Sequence, residues 1–111
     1  MGQITFADWK KMEMRVGKIH KVERVPKTDK LYKLQVEIGS EKMIQIVTGL
    51  VPFYSEKELQ NKKIIVLVNL EPVKFKGELS EGMLLCAEDK ENNKCILLTV
   101  EKDIAAGTLI T

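Results

Sequence analysis

Tyr32, Leu34, Val36 and Ile38 alternate with Lys33, Gln35 and Glu37 between a Pro26–Lys30 turn and Gly39-Ser40. A period of two puts every apolar side chain on one face and every polar one on the other, so this stretch reads as a half-buried β-strand. Gly39 to Glu41 turn it back into a second apolar run, Met43 to Thr48, which predicts a hairpin. Upstream, Met14, Val16, Ile19, Val22 and Val25 keep a strand-like spacing whose parity changes after Gly17 and again later. A strand whose inward face slips at a glycine is expected to be bulged and strongly bent, as a first strand serving two sheets of a small closed barrel must be.

The order of elements completes that picture. Gly49 ends the third strand, and Ser55-Glu56-Lys57-Glu58 has the capping-box pattern of a short helix running to about Gln60, which Asn61 stops. Lys63 to Asn69 is a β-branched fourth strand and Met83 to Ala87 a fifth. Three strands, a helix and two more strands predict an all-β, five-stranded Greek-key barrel of the OB-fold; an SH3-like barrel or an open Greek-key sheet accounts less well for a helix after strand three. At the N-terminus, Thr5 is placed to cap a helical turn to Lys11, with Phe6 and Trp9 on one face expected to close an end of the core, Trp9 as a buried plug.

Beyond strand five come a turn at Asp89 to Asn93, a strand at Lys94 to Leu98 and an apolar tail from Ile104 to Thr111. A five-stranded barrel does not need this material. Leu97, Val100, Ile104, Leu109 and Ile110 must be covered by the same subunit or by a second copy, and we expect the second copy, because a symmetric dimer leaves no new sticky edge. The chain is thus read as one domain over residues 1–111, with a barrel core at about 12–88 and a dimerisation extension at about 89–111.

Composition narrows the function classes. The chain has 111 residues, two cysteines (Cys86 and Cys95) and one histidine (His20), too few thiolates and imidazoles for a tetrahedral zinc set in one subunit, and no metal or other cofactor is expected. Cysteines in a chain of cytosolic character are more often small core residues than a disulfide. No nucleophile and base stand in a suggestive spacing, and there is no P-loop or dinucleotide fingerprint, so a non-catalytic protein is expected. No apolar run approaches the roughly 20 residues of a membrane span, and no signal-peptide pattern is present, which predicts a cytoplasmic, soluble protein.

Charge is the informative quantity. Between Lys10 and Lys33 stand nine basic residues and three acidic ones, a local excess of six in a chain whose net charge is +2. Affinity for phosphates follows local potential more than total charge, so this asymmetry fits a nucleic-acid-facing surface; a solvated, lysine-rich strand pair is the alternative. A second basic element lies between strands four and five. There the chain leaves a polar Asn69-Leu70-Glu71-Pro72 corner, crosses a flexible loop with Lys74 and Lys76 around Phe75, and re-enters apolar sequence at Met83. Gly77 and Gly82 allow positive φ or a close approach, and Ser80 offers a hydroxyl beside the Gly82-Met83 turn. Aromatic residues make up only 5% of the chain, without the paired platform of a single-strand binder, which favours shaped, paired RNA.

Several strings together resemble one family. M-R-V-G-K-I (14–19), D-K-L-Y-K-L-Q-V (29–36), I-V-T-G-L (46–50), Y-S-E-K-E-L (54–59), N-L-E-P (69–72) and L-S-E-G-M-L-L (79–85) are similar to the tRNA-binding domain of the methionyl-tRNA synthetase C-terminus. The same domain occurs in free-standing structure-specific tRNA-binding proteins and in endothelial monocyte-activating polypeptide II-like synthetase cofactors. The resemblance implies an OB-fold paired into a homodimer through C-terminal strands, binding tRNA by shape, alone or with a methionyl-tRNA synthetase catalytic chain. It implies tRNA contacts at Lys30, Lys33, Asn69, Lys74, Lys76, Ser80 and Met83. Ile44 departs from the pattern, since relatives often carry a basic residue there. A bacterial branch of the fold implies the alternative of a dimeric peptide-binding export chaperone.

Overall fold

The barrel is organised by its first strand. In the computed structural model, which describes residues 2–111, β1 (Met14–Arg24) runs for 11 residues and pairs on both edges. Met14 to Lys18 lie antiparallel to β4 (Lys63–Leu67), and Lys18 to Arg24 lie antiparallel to β2 (Tyr32–Glu37). One strand serves both neighbours only by bending, and Gly17 sits where the two walls converge. A β-carbon there would lie 2.7 Å from Val36 Cγ1 and 2.9 Å from Val66 Cγ2, both on stiff core side chains. The register slip comes later than the expected position at Gly17: it falls between Ile19 and Lys21, with His20 as the extra residue.

β2 continues antiparallel into β3 (Met43–Thr48), with Tyr32 opposite Thr48 and Glu37 opposite Met43, the hairpin that the alternation predicts. Tyr32, Leu34, Val36 and Ile38 are buried, and the Tyr32 hydroxyl donates to the Tyr54 carbonyl at 2.7 Å. α2 (Glu56–Leu59) opens on a complete capping box: Glu58 N–H donates to Ser55 Oγ at 3.1 Å and Ser55 N–H to the Glu58 carboxylate at 2.9 Å. That carboxyl is held below the usual range by these bonds to Ser55. Asn61, at φ 66°, ends the helix.

Strand four stops at Leu67, two residues short of the expected Asn69, and the segment read as a flexible loop is a small hairpin of β5 (Val73–Phe75) and β6 (Glu78–Ser80). The expected fifth strand divides into β7 (Met83–Leu84), which pairs with β4, and β8 (Cys86–Asp89), which pairs with β9 (Lys94–Leu97). The main sheet runs β3-β2-β1-β4-β7. Its open ends are stitched together where Glu81 N–H donates to the Gln45 carbonyl at 2.7 Å and Gln45 N–H to the Glu81 carboxylate at 2.9 Å. The result is the all-β OB-fold barrel, filled by residues such as Ile19, Leu34, Ile46, Leu50, Leu59 and Ile64.

Both chain ends depart from expectation. α1 (Phe6–Lys10) forms with Thr5 as its cap, accepting from Asp8 N–H at 3.1 Å, but it buries none of its residues. Strand residues with Leu50 and Leu59 already occupy the interior, so Phe6 stays 72% exposed and Trp9 39% exposed, and Trp9 is no core plug. At the other end, Leu97 belongs to the subunit's own core, and Val100 and Ile110 pack on the Met14, Val16 and Ile65 cluster. These three are therefore covered largely within the subunit, whereas Ile104 and Leu109 remain exposed. The cause is an edge of β1 that β2 leaves vacant at Met14 and Arg15, taken by β10 (Leu109–Ile110). Arg15 donates to the Gly107 carbonyl at 2.7 Å, and Gly107 N–H to the Val16 carbonyl at 2.7 Å. Cys86 and Cys95 are free and pack against the main core, and burial, reinforced by the neighbouring Cys95 thiol, pushes the Cys86 thiol up to about 12.

The tail is pinned by glycine against glycine. A β-carbon on Gly107, whose φ is +93°, would stand 2.5 Å from Gly39 Cα, and neither backbone can swing aside. Gly107→Ala is expected to cost about 1–3 kcal/mol in urea denaturation and to expose the Val16 amide to hydrogen exchange. Gly49→Ala, in open space, should change stability by under about 0.5 kcal/mol. Equal stabilities of the two variants would show that this contact does not hold the tail.

Candidate nucleic-acid interface

The outward face of β1, β2 and β3 carries the polar half of the alternation. Register places Lys21, Gln35 and Gln45 side by side across the three strands, and Glu23, Lys33 and Val47 in the next row. Val47 belongs to the outward parity yet is buried, because the β5–β6 hairpin lies over it. Val47 N–H donates to Ser80 Oγ at 3.0 Å, the Ser80 hydroxyl donates to the Gly82 carbonyl at 2.9 Å, and Gln45 Nε2 donates to the Leu79 carbonyl at 2.8 Å.

The hairpin closes on Lys76 and Gly77, at φ 51° and 82°, a two-residue turn of the primed kind whose twist matches its strands. Gly77 therefore supplies the positive φ, while Gly82 supplies the close approach: a β-carbon there would lie 2.7 Å from the Leu67 carbonyl oxygen. Pairing of Phe75 with Glu78 and of Val73 with Ser80 puts these four side chains on the hairpin face turned toward β2 and β3. From that face both Glu78 carboxylate oxygens accept from Lys33 Nζ at 3.3 Å.

Of the residues expected to meet RNA, the structure brings Lys33 together with the hairpin carrying Lys74 and Lys76. Lys30, in the turn feeding β2, is exposed while its carbonyl is fixed by Val51 N–H at 3.1 Å. Among the described residues Lys30, Lys74 and Lys76 form no ion pair, whereas Lys33 is paired with Glu78.

The other three are placed differently. Ser80 is 3% exposed with its hydroxyl spent inside the protein. Asn69 Oδ1 accepts from Glu13 N–H at 2.9 Å and Nδ2 donates to the Lys11 carbonyl at 2.6 Å, so its side chain is a strut between the end of β4 and the chain leaving α1. Met83 is half-buried against the main core. Ser80 thus shapes the surface from beneath, whereas Asn69 is exposed with its amide tied to two backbone groups. Ile44 is a core residue, so β3 presents no charge from that position.

A second surface was not assembled by the sequence reasoning. Phe6, Trp9, Met12, Leu109 and Ile110 line a cleft of about 500 Å³. The i, i+3 spacing of Phe6 and Trp9 was a visible signal of a shared face, but periodicity does not say what covers that face. Among the described residues no helix is long and apolar enough to cross a membrane.

A nearly closed barrel with a helix after its third strand, and a lysine-bearing hairpin packed over the β2–β3 face, is an OB-fold module. Residues 14–109 match the family described as putative tRNA binding domain, and the chain belongs to that family. It is 48% identical over 110 residues to the methionine–tRNA ligase of Methanocaldococcus jannaschii, covering 99% of this chain and 17% of that enzyme; the chain thus spans less than a fifth of this relative's length. Among solved structures it is similar to a MetRS related protein from Pyrococcus horikoshii, with TM-score 0.92, 37% identity and full coverage of both chains. It is also similar to the CsaA chaperone protein of Picrophilus torridus, with TM-score 0.87, 31% identity, and coverage of 98% of this chain and 100% of that one.

The scaffold role of Ser80 has a measurable signature. Ser80→Ala strands the buried Val47 N–H and should lower stability by about 1–3 kcal/mol in urea denaturation. Wild-type stability combined with weakened RNA binding would return Ser80 to the binding surface.

Proposed function

We propose that this chain binds folded tRNA by its shape and phosphates, without catalysing a reaction. It acts free-standing or as the appended part of a methionyl-tRNA synthetase, raising that enzyme's affinity for tRNA in the cytoplasm. The observation that supports the reading is the lysine-bearing hairpin fastened over β2 and β3, tied to Lys33 through Glu78, in a member of the putative tRNA-binding family. Lysines supply mobile point charges to phosphates, which position a nucleic acid without reading its sequence. The grooves of A-form RNA are met through phosphates and 2′-hydroxyls, and a face of lysine and glutamine suits both.

The working unit is a homodimer. Ile4, Phe6, Trp9, Met12 and Leu109 are all large, apolar and exposed, and a second copy related by a twofold axis would cover them. Of the expected interface residues, Leu109 remains exposed on this surface, joined by α1, and Ile104 is exposed elsewhere on the tail. A second reading, peptide binding by a dimeric export chaperone, is favoured by one observation: the cleft lined by Phe6, Trp9, Met12 and Leu109 has an apolar side. Calorimetry with unfolded precursor peptides against tRNA separates the readings, and a preference for peptide reverses their order.

Lys74→Ala combined with Lys76→Ala should weaken tRNA binding and flatten the dependence of log affinity on log salt by up to about two units, with the fold intact. Unchanged binding clears the hairpin of this role. Leu109→Asp, at a side chain 51% exposed in the subunit, should convert dimers to folded monomers in sedimentation; a monomeric wild type contradicts the assembly.

A further inference from the structure

We infer that the β5–β6 hairpin holds one unpaired nucleobase against Phe75, so that the preferred RNA is a helix with a single-stranded nucleotide beside it. This rests on the tRNA-binding reading and adds the kind of RNA element that the site takes. Phe75 is 37% exposed in a chain with few aromatic residues. Its position is fixed by the tight Lys76-Gly77 turn on one side and by the Ser80 and Leu79 bonds to β3 on the other, so little freedom is lost when a base settles on the ring.

The neighbours of the ring have the chemistry of a nucleotide site. Phe75 is the cross-strand partner of Glu78, which holds Lys33, so one residue links ring and ammonium, with Lys76 next to the ring in the turn. Two residues along β2, Gln35 Nε2 donates to Gln45 Oε1 at 2.9 Å, while among the described residues its Oε1 has no partner and stays open to a base edge. An apolar peptide side chain would bring no anion to these lysines; a nucleotide brings a base to the ring and a phosphate to the charges. With one ring there is room for one base, which separates this site from the extended aromatic platforms of single-strand binders.

The test uses RNA stem-loops of identical stem, one blunt and one with an unpaired 3′ nucleotide carrying 2-aminopurine, titrated into the full chain and into Phe75→Leu and Phe75→Trp. The wild type is expected to bind the overhang form roughly tenfold more tightly and to quench the base fluorescence. Phe75→Leu should lose the preference and the quenching while keeping its affinity for the blunt stem, and Phe75→Trp should keep both. Equal binding of the two stems by the wild type, or an equal loss on both in Phe75→Leu, overturns the inference. Displacement of the overhang by an unstructured apolar peptide more readily than by the free nucleotide overturns it in favour of a protein ligand. If Lys74→Ala with Lys76→Ala abolishes tRNA binding while Phe75→Leu keeps the preference, only this inference fails; tRNA binding insensitive to all these changes ends the reading beneath it as well.

Discussion

The seam between β3 and residues 79–82 holds the β5–β6 hairpin in place. A barrel whose sheet runs β3-β2-β1-β4-β7 has two open ends, and the bonds from Val47 N–H to Ser80, from Gln45 N–H to Glu81, and from Glu81 N–H to the Gln45 carbonyl join them. An isolated two-stranded hairpin with strands of three residues is at best marginally stable in water. Fastened along β3, the β5–β6 hairpin instead shares the stability of the barrel. Buried donors and acceptors make the seam cooperative, because losing Ser80 leaves a backbone group unpaired as well as removing a contact.

That fastening fixes the backbone that carries otherwise ordinary lysines. A lysine on a mobile loop is a diffuse charge, and ordering it on binding costs side-chain and backbone entropy. Here the backbone part of that ordering is complete before RNA arrives, and Lys33, Lys74 and Lys76 sit on parts of one hydrogen-bonded assembly. The Lys33–Glu78 pair has a further consequence. On the proposed reading a phosphate reaching Lys33 would compete with Glu78 for the same ammonium, whereas Lys30, Lys74 and Lys76 have no ion-pair partner among the described residues to displace.

Much of the barrel was legible because local and tertiary demands agree. Alternation at Tyr32 to Ile38, the Ser55–Glu58 capping box and the Asn61 stop each have a short-range cause, and each appears where expected. The misreadings share another origin. Lys74 to Gly77 was read as a flexible loop because a hairpin of three-residue strands is too short for periodicity to register, and its support comes from β3, some 30 residues earlier in the chain. Ser80 reads as a polar contact because composition cannot distinguish a hydroxyl facing water from one spent on a distant backbone group. Leu97, Val100 and Ile110 read as partner contacts because nothing local reveals that β2 leaves an edge of β1 vacant for the tail. Trp9 reads as a core residue for a related reason: amphipathic spacing shows a sticky face, not the surface that it meets.

The central claim is that one face, set by the seam, meets the RNA. Lysine acetylation footprinting of the tRNA complex, read residue by residue by mass spectrometry, tests it directly. Lys30, Lys33, Lys74 and Lys76 should be protected, while Lys57 on α2 and Lys90 and Lys94 of the β8–β9 ribbon keep the reactivity of the free protein. Protection centred on Lys57, Lys90 and Lys94, with the hairpin lysines left reactive, would contradict it.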